Sequence, residues 1–183
     1  VPLTAIAFFM LTGELMTSAT ITDRLVALSR ALIGRIRGGL AQVNVLVSMF
    51  FAGMNGSGVA DTATVGALVL PAMKKAGYPA AFSAAVTGVS STIGGIIPPS
   101  IMMIVLANST EISIAALFAA GIIPGVLIGV VIMIINHYFA IKYNFERSDE
   151  PFSVRRAGKE LYRSSFALLI PLVLVGSVMG GVA

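Results

Sequence analysis

Hydroxyl and amide side chains cluster in two glycine-rich segments of an otherwise apolar sequence. The first segment runs from Gly53 to Gly58, and the second from Ser90 to Ser100. Side-chain oxygens suit a hard cation such as Na⁺, and these neutral groups avoid the cost of a buried charge. Serine and threonine in apolar helices also bond their own backbone, for about 1 kcal/mol. The candidate oxygen ligands are Asn55, Ser57, Ser90, Ser91, Thr92 and Ser100.

Each of these side chains can therefore be a ligand or can form a hydrogen bond within the protein. For Ser90 and Thr87 the backbone-bonding role and the ligand role stay equally open. For Asn55 and Ser57 the cation or substrate role is favoured, because both lie at the centre of an irregular segment. The sequence therefore predicts a cation or substrate site that depends on the two segments together.

Asp61 follows the first segment and is the one acidic residue that we place at membrane depth. An isolated charge there costs about 2.5–3.5 kcal/mol on insertion scales, so it needs a function or a partner. The carboxylate could line a cavity for a cation or substrate. It could equally stabilise the first turn of the following helix, where a negative charge interacts favourably with the helix dipole. The sequence leaves both interpretations open.

The remaining residue types exclude most enzymatic chemistry. The chain has no cysteine, a single histidine at His137 and no close pair of carboxylates. Thiol catalysis and thiolate metal sites are excluded, and neither a transition metal nor an organic cofactor is expected. The net charge of +4 comes from basic residues in short connectors, without the broad basic face that binds nucleic acid. We expect neither an enzyme nor a nucleic-acid-binding protein.

Long uncharged runs predict membrane insertion. Hydrophobic residues make up 57% of the sequence and charged residues 11%, with a mean hydropathy of +0.96. About 18 or more apolar residues can cross the roughly 30 Å hydrocarbon core of a lipid bilayer as a helix. We therefore predict an all-α, multi-pass integral membrane protein. The runs without Asp, Glu, Lys or Arg are 38–60, 76–110, 112–141 and 164–183.

Segment 39–75 is predicted to form a re-entrant helical hairpin. As one helix, residues 39–73 would be about 50 Å long, which exceeds a membrane span. The halves 39–53 and 61–73, divided at the first glycine-rich segment, would each be about 20 Å long and too short to cross. Such irregular backbone is tolerated at membrane depth only where protein or a wet cavity shields it.

Segment 76–110 is predicted to be a discontinuous transmembrane helix. Gly94 and Gly95 lower helix propensity, while Pro98 and Pro99 remove backbone donors and clash with the preceding turn. We expect helices at 79–93 and 100–108 with unwound backbone between them.

The other segments complete the predicted topology. Once 39–75 returns to its starting side, all twelve Lys and Arg residues fall on one side of the membrane, which the positive-inside rule makes cytoplasmic. Because the sequence lacks an initiator methionine and ends inside an apolar run, we expect it to be part of a longer chain. The remaining predicted segments are a transmembrane helix at 1–21, an amphipathic interfacial arm helix at 22–38, a transmembrane helix at 111–145, a cytoplasmic linker at 146–163 and the start of another transmembrane helix at 164–183.

At these breaks the sequence resembles the large membrane subunit of tripartite ATP-independent periplasmic (TRAP) transporters. The matching stretches occur in order along nearly the whole chain. They are GRIRGGL (34–40), GSGVAD (56–61), PAMKKAGY (71–78), SSTIGGIIPPS (90–100) and LFAAGIIPG (117–125).

The resemblance implies a Na⁺-coupled importer of organic acids, such as C4-dicarboxylates or sialic acids, in a bacterial inner membrane. The chain would be one repeat of an inverted-repeat, elevator-type transporter. Its implied partners are a periplasmic substrate-binding protein, a small membrane subunit and the second half of the same large subunit.

The resemblance also implies where the ligands lie. Substrate contacts are expected from Ser57, Asp61, Ser91 and Ser100. The Na⁺ site implied for the tip and the break comprises Asn55, Gly56, Ser57, Thr92, Gly94 and Ile97.

The alternative to a transporter is an ion channel or a non-transporting membrane scaffold with a re-entrant loop.

Overall fold

The computed structural model describes residues 11, 21–34, 36–145 and 154–180. This part of the chain is helical apart from short connections and contains no β-strand, which confirms the all-α prediction. The transmembrane helix predicted at 1–21 lies almost wholly outside the described residues, as does 146–153 of the predicted linker. The described helices are α1 (Ile21–Ile33), α2 (Gly39–Asn55), α3 (Gly58–Lys75), α4 (Ala80–Ser91), a 3₁₀ helix η1 (Thr92–Gly95), α5 (Ile101–Thr110), α6 (Ile114–Lys142) and α7 (Val154–Met179).

Helix α1 is amphipathic, and its apolar face is buried against neighbouring helices. Leu25 and Leu28 are fully buried, and the helix packs against both α2 and α7. The Arg24 side chain is exposed and donates a hydrogen bond to the Arg163 carbonyl oxygen on α7 at 3.2 Å. The Ser164 hydroxyl donates to the Arg24 carbonyl oxygen at 3.3 Å. The helix predicted to lie at the membrane interface therefore packs its apolar face on neighbouring helices of the protein.

Helices α2 and α3 form a hairpin whose tip is only two residues long. Gly56 ends α2 in the left-handed conformation (φ 61°), and its N–H donates to the Ala52 carbonyl oxygen. Ser57 is the N-cap of α3 and accepts a hydrogen bond from the Ala60 N–H at 3.4 Å. The sequence placed the break across 53–58, but Gly53 and Asn55 remain helical. A Cβ added at Gly53 would lie 3.4 Å from Pro171 Cβ of α7 and 3.7 Å from the Pro98 carbonyl oxygen, so this helical turn packs against both.

The next segment is a discontinuous helix, as its glycines and prolines indicate. Helix α4 tightens into η1, the chain unwinds over 96–100, and α5 begins at Ile101. Ser100 starts α5 as its N-cap: its hydroxyl accepts from the Met103 N–H at 3.4 Å and donates to the Gly95 carbonyl oxygen at 2.9 Å. The unwound segment therefore has a defined geometry.

Helix α6 is the one described helix whose length and composition would let it cross a membrane. Its outward residues include Ile123 and Ile134, which are 77% and 64% exposed. On its inner side Gly121, Gly125 and Gly129 face the break and α2. The helix thus presents one face to its own protein and an apolar face outward.

Helix α7 differs from the predicted division at Ser164. It runs without interruption from Val154 to Met179, so residues 154–163 of the predicted linker belong to the same helix as the last apolar run. Ser164 is fully buried against α1, where it bonds Arg24.

Aromatic residues close the end of the molecule opposite the hairpin tip. Tyr78, just before α4, and Phe82, in its first turn, pack against Phe145 with ring centroids 4.5 and 5.1 Å apart. Phe139 of α6 meets Phe82 edge-on at 6.1 Å. These aromatic contacts connect the base of the hairpin to the C-terminal end of α6.

Candidate functional site

The tip of the α2–α3 hairpin is seated in the break of the discontinuous helix. Ile101 donates its N–H to the Gly56 carbonyl oxygen at 3.2 Å. A Cβ added at Gly56 would lie 2.6 Å from the Pro99 carbonyl oxygen and 2.9 Å from the Ser100 Cα. Only glycine fits this approach and the left-handed backbone without strain. The proline pair and the tip are thus in direct backbone contact.

The other side of the tip contacts the end of α4 equally closely. A Cβ added at Gly58 would lie 2.6 Å from the Ser91 carbonyl oxygen. A Cβ added at Gly94 would lie 3.0 Å from the Gly58 nitrogen. The two glycine-rich segments therefore pack directly against one another, although α3 and most of α4 separate them in sequence.

The two favoured ligand residues stand side by side at this tip. Asn55 is buried, and its Oδ1 accepts a hydrogen bond from the Ser57 N–H at 3.0 Å. Ser57 is half-buried, with its hydroxyl at the N-terminus of α3. Their oxygens are therefore positioned at the junction between two helix ends, where partial charges of opposite sign meet.

The remaining predicted Na⁺ ligands lie in the break itself. Gly94 is buried against the tip, and Ile97 is half-buried with its side chain beside Gly125 of α6. Thr92 is exposed, and its hydroxyl donates to the Val89 carbonyl oxygen at 2.7 Å. The fold thus brings the six residues to one junction, although Thr92 lies on its outer side.

The predicted substrate residues divide into accessible and enclosed members. Ser57 is the accessible one, whereas Asp61, Ser91 and Ser100 are at most 2% exposed. Ser91 donates its hydroxyl proton to the Thr87 carbonyl oxygen at 2.7 Å, and Ser100 caps α5. In this conformation a ligand outside the protein reaches Ser57 but none of the other three.

Asp61 lies directly behind the tip in the first turn of α3, the position where a carboxylate interacts favourably with the helix dipole. Its carboxylate is fully buried, and neither oxygen has a hydrogen-bond partner among the described residues. The hydroxyls of Ser48 on α2 and Ser91 on α4 lie close enough to interact with this carboxylate. This carboxylate therefore faces inward, toward the place where α2, α3 and α4 converge.

A buried polar network connects α2 to α4 through Thr87 and Ser90, which the sequence singled out, and through Asn44 and Ser48, which it did not. Asn44 donates to the Thr87 hydroxyl at 2.7 Å and accepts from the Ser90 hydroxyl at 3.4 Å, while Ser48 donates to Ser90 at 3.2 Å. All four side chains are at most 2% exposed. Asn44 and Ser48 are four residues apart in an uncharged run, a spacing that puts both on one helix face and could have identified them.

The described part of the chain includes no group of three or more His, Cys, Asp or Glu side chains that could hold a metal ion. The donors at the tip and break are amide, hydroxyl and carbonyl oxygens, which suit hard cations.

Sequence comparison identifies the family to which this arrangement belongs. The family model described as "Tripartite ATP-independent periplasmic transporter, DctM component" matches residues 1–183. The chain belongs to this DctM family. The predicted resemblance is confirmed, and membership of this family makes the chain part of a membrane protein.

Relatives of the DctM chain are named for several organic acids. It is 39% identical over 181 residues to the sialic acid TRAP transporter permease protein SiaT of Haemophilus influenzae, covering 98% of this chain and 29% of the relative. It is 37% identical to the C4-dicarboxylate large permease protein DctM of Pseudomonas aeruginosa and to the 2,3-diketo-L-gulonate large permease protein YiaN of Escherichia coli. Each of these two matches covers 98% of this chain and 42% of the relative. The chain thus spans less than half the length of these relatives.

Proposed function

We propose that this DctM chain forms part of a Na⁺-coupled secondary transporter that imports organic acid anions across a bacterial inner membrane. The rest of the large subunit, a small membrane subunit and a periplasmic substrate-binding protein would complete the system. Transport would proceed by an elevator-like movement that carries the hairpin and broken helix together. The relatives' names support an acid of the C4-dicarboxylate or sialic acid type.

The observation that carries the proposal is the seating of the hairpin tip in the helix break. Helices interrupted at such a junction leave backbone groups and helix ends free to bind ions and substrates. Na⁺ would be held by Asn55 Oδ1, the Ser57 and Thr92 hydroxyls, and backbone carbonyls around Gly56, Gly94 and Ile97. The backbone contacts on both sides of Gly56 and Gly58 would hold these groups in position.

The N-terminus of α3 is the proposed contact for a substrate carboxylate. Val59 and Ala60, in the first turn of α3, are exposed, and Val59 reaches 83%. A helix N-terminus with accessible N–H groups favours an anion. Helices α2 and α4 contain no Lys or Arg, and those of α3 lie in its last turn. Within this chain the acid would therefore be bound by N–H and hydroxyl groups, Ser57 first, with Ser91, Asp61 and Ser100 in the wall behind.

Uptake by the complete system in proteoliposomes tests the proposal. We expect saturable accumulation of a labelled organic acid that requires an inward Na⁺ gradient and the matching binding protein. Ser57→Leu should abolish it, because the larger side chain fills the accessible part of the tip. Ser109→Leu is the matched control at the exposed far end of α5 and should leave uptake unchanged. Ohmic currents, or uptake that ignores Na⁺, would exclude a coupled carrier.

A further inference from the structure

Basic residues of α1 and α7 meet where these two helices pack together. The Arg24 guanidinium on α1 donates to the Arg163 carbonyl oxygen on α7 at 3.2 Å, and the Ser164 hydroxyl donates to the Arg24 carbonyl oxygen at 3.3 Å. Arg24 is exposed, and a guanidinium has five N–H donors, so this contact leaves it able to bind a further group. The Arg163 side chain is itself 57% exposed. The junction thus carries one accessible arginine from each helix.

The carboxylates of α1 and α7 do not balance this positive charge. The acidic residues of the two helices are Asp23 and Glu160, and Glu160 pairs with Arg163 at 3.5 Å. Lys159 is exposed one turn before Arg163 on α7, which adds a further cation beside the pair. We call the surface formed by Arg24, Lys159 and Arg163 the basic patch. The Lys and Arg residues of the two helices are Arg24, Arg30, Arg155, Arg156, Lys159 and Arg163.

One face of α7 changes from basic to apolar along its length. Arg155 and Lys159 are exposed near its start, Tyr162 is 83% exposed, and Leu169 and Val173 follow at 52% and 65%. Their spacing of three, four and seven residues places all five on one side of the helix. Tyrosine is typical of the membrane–water interface, and Val173 lies about 17 Å beyond Tyr162, close to the roughly 15 Å of hydrocarbon in one leaflet. This face therefore matches the headgroup and acyl chains of a lipid in turn.

We propose that the basic patch binds the phosphate of an anionic phospholipid whose acyl chains lie along Leu169 and Val173. Arg24 and Arg163 would donate charge-assisted hydrogen bonds to the phosphate oxygens, and the Lys159 ammonium would add electrostatic attraction. A free phosphate would leave the apolar part of the face uncovered, so a lipid fits both chemistries. The bound lipid would connect α1 to α7 beside their direct contact. This inference goes beyond the proposed function and depends on neither the transported ion nor the substrate.

Equilibrium binding of radiolabelled phosphatidylglycerol to the purified full-length subunit, in micelles of detergent and phosphatidylcholine, tests the site. We expect Lys159→Gln and Arg163→Gln each to weaken binding about fivefold, the effect of one basic residue near an anionic lipid. Lys75→Gln removes an exposed positive charge from the end of α3 and is the control, which should bind as the wild type does. Wild-type binding by both patch variants would overturn the site. Equal weakening in Lys75→Gln would show general charge attraction and overturn it too.

Competition and thermal stability separate a lipid from a free anion. Inorganic phosphate at the concentration of the lipid should not displace phosphatidylglycerol, because it lacks the apolar contacts; displacement would overturn the lipid as occupant. A ligand that binds only the folded state raises its stability, so phosphatidylglycerol should raise the melting temperature of the wild type more than phosphatidylcholine does. Lys159→Gln should lose part of this gain, and Lys159→Arg, which keeps the charge, should retain it. An unchanged gain in Lys159→Gln would contradict the role of Lys159 in the basic patch.

Discussion

At the scale of single residues, the junction depends on glycines that permit backbone-to-backbone contact and on polar side chains that satisfy one another. Gly56 combines a left-handed backbone with close contact to Pro99 and Ser100. Asn44 connects a helix of the hairpin to the discontinuous helix through buried hydrogen bonds. Substitutions at Gly56 and Asn44 can therefore separate the effects of backbone strain, steric contact and hydrogen bonding on stability and uptake.

Gly56→Ala should weaken the seating of the tip. The left-handed conformation costs an alanine about 1–2 kcal/mol, and its Cβ would also press on the Pro99 carbonyl oxygen. We expect a lower melting temperature and reduced uptake. Gly77→Ala shares the positive φ but has open space around it, so it isolates the conformational part and should leave uptake intact. Equal loss of uptake in both variants would contradict a steric role for the Gly56–Pro99 contact.

Asn44→Ala should destabilise the protein by about 1–3 kcal/mol, because it leaves buried hydroxyls of α4 with fewer partners. Chemical denaturation of the detergent-solubilised subunit measures this loss. Asn108→Ala, at an exposed position of α5, is the control and should fall within about 0.5 kcal/mol of the wild type. A neutral Asn44→Ala would show that the α2–α4 network does not contribute to stability.

At the scale of elements, α6 acts as a wall that supports the helix break. Its inner glycines differ in what they face. A Cβ at Gly121 would lie 2.5 Å from the Ile96 carbonyl oxygen, which belongs to the unwound backbone, while a Cβ at Gly129 would meet only the flexible side chain of Met49. The position of the break therefore depends more on the N-terminal part of α6, around Gly121, than on its middle, around Gly129.

Gly121→Ala should impair transport more than Gly129→Ala. The first substitution pushes on backbone next to the proposed cation site, whereas the second can be absorbed by rotation of Met49. We expect a weaker apparent Na⁺ affinity in Gly121→Ala and near wild-type values in Gly129→Ala, measured by Na⁺ titration of uptake. Gly176→Ala, which has open space around it, tests for a general effect of added methyl groups. The reverse order of effects would contradict the supporting role of Gly121.

At the scale of the whole molecule, the orientation of the hairpin in the membrane decides the mechanism. The sequence predicts that 39–75 returns to its starting side, so the residues before and after it share one face of the membrane. The structure shows the two helices and their short tip, and their depth in a bilayer stays a prediction.

Cysteine labelling can test this topology directly, because these 183 residues contain no cysteine and any cysteine elsewhere in the subunit can be replaced first. In spheroplasts carrying the complete subunit, Arg37→Cys and Lys75→Cys should both resist a membrane-impermeant thiol reagent until the cells are opened. Glu111→Cys should react from outside. These three positions are exposed, so burial does not limit their reaction. Opposite accessibility of positions 37 and 75 would establish a single crossing and exclude the re-entrant hairpin.

Local sequence was sufficient to determine the class of protein, the family and the two breaks. Glycine and proline act through local backbone preferences, so the interruptions at Gly56 and at Pro98–Pro99 are visible without knowledge of neighbouring helices. Uncharged runs likewise report membrane insertion from composition alone. Helix ends were less well determined, since Gly53 and Asn55 stay helical and α7 continues through Ser164.

The tertiary structure decided which polar groups face one another. It seats the tip against Pro99 and Gly94, leaves Ser57 accessible, and turns Asp61 inward toward Ser48 and Ser91. Ser48 lies in an ordinary apolar helix, and no local pattern shows that it meets an acid from another helix. Backbone breaks are encoded by the residues that form them, whereas the partners of a buried carboxylate are fixed only when separate helices pack together.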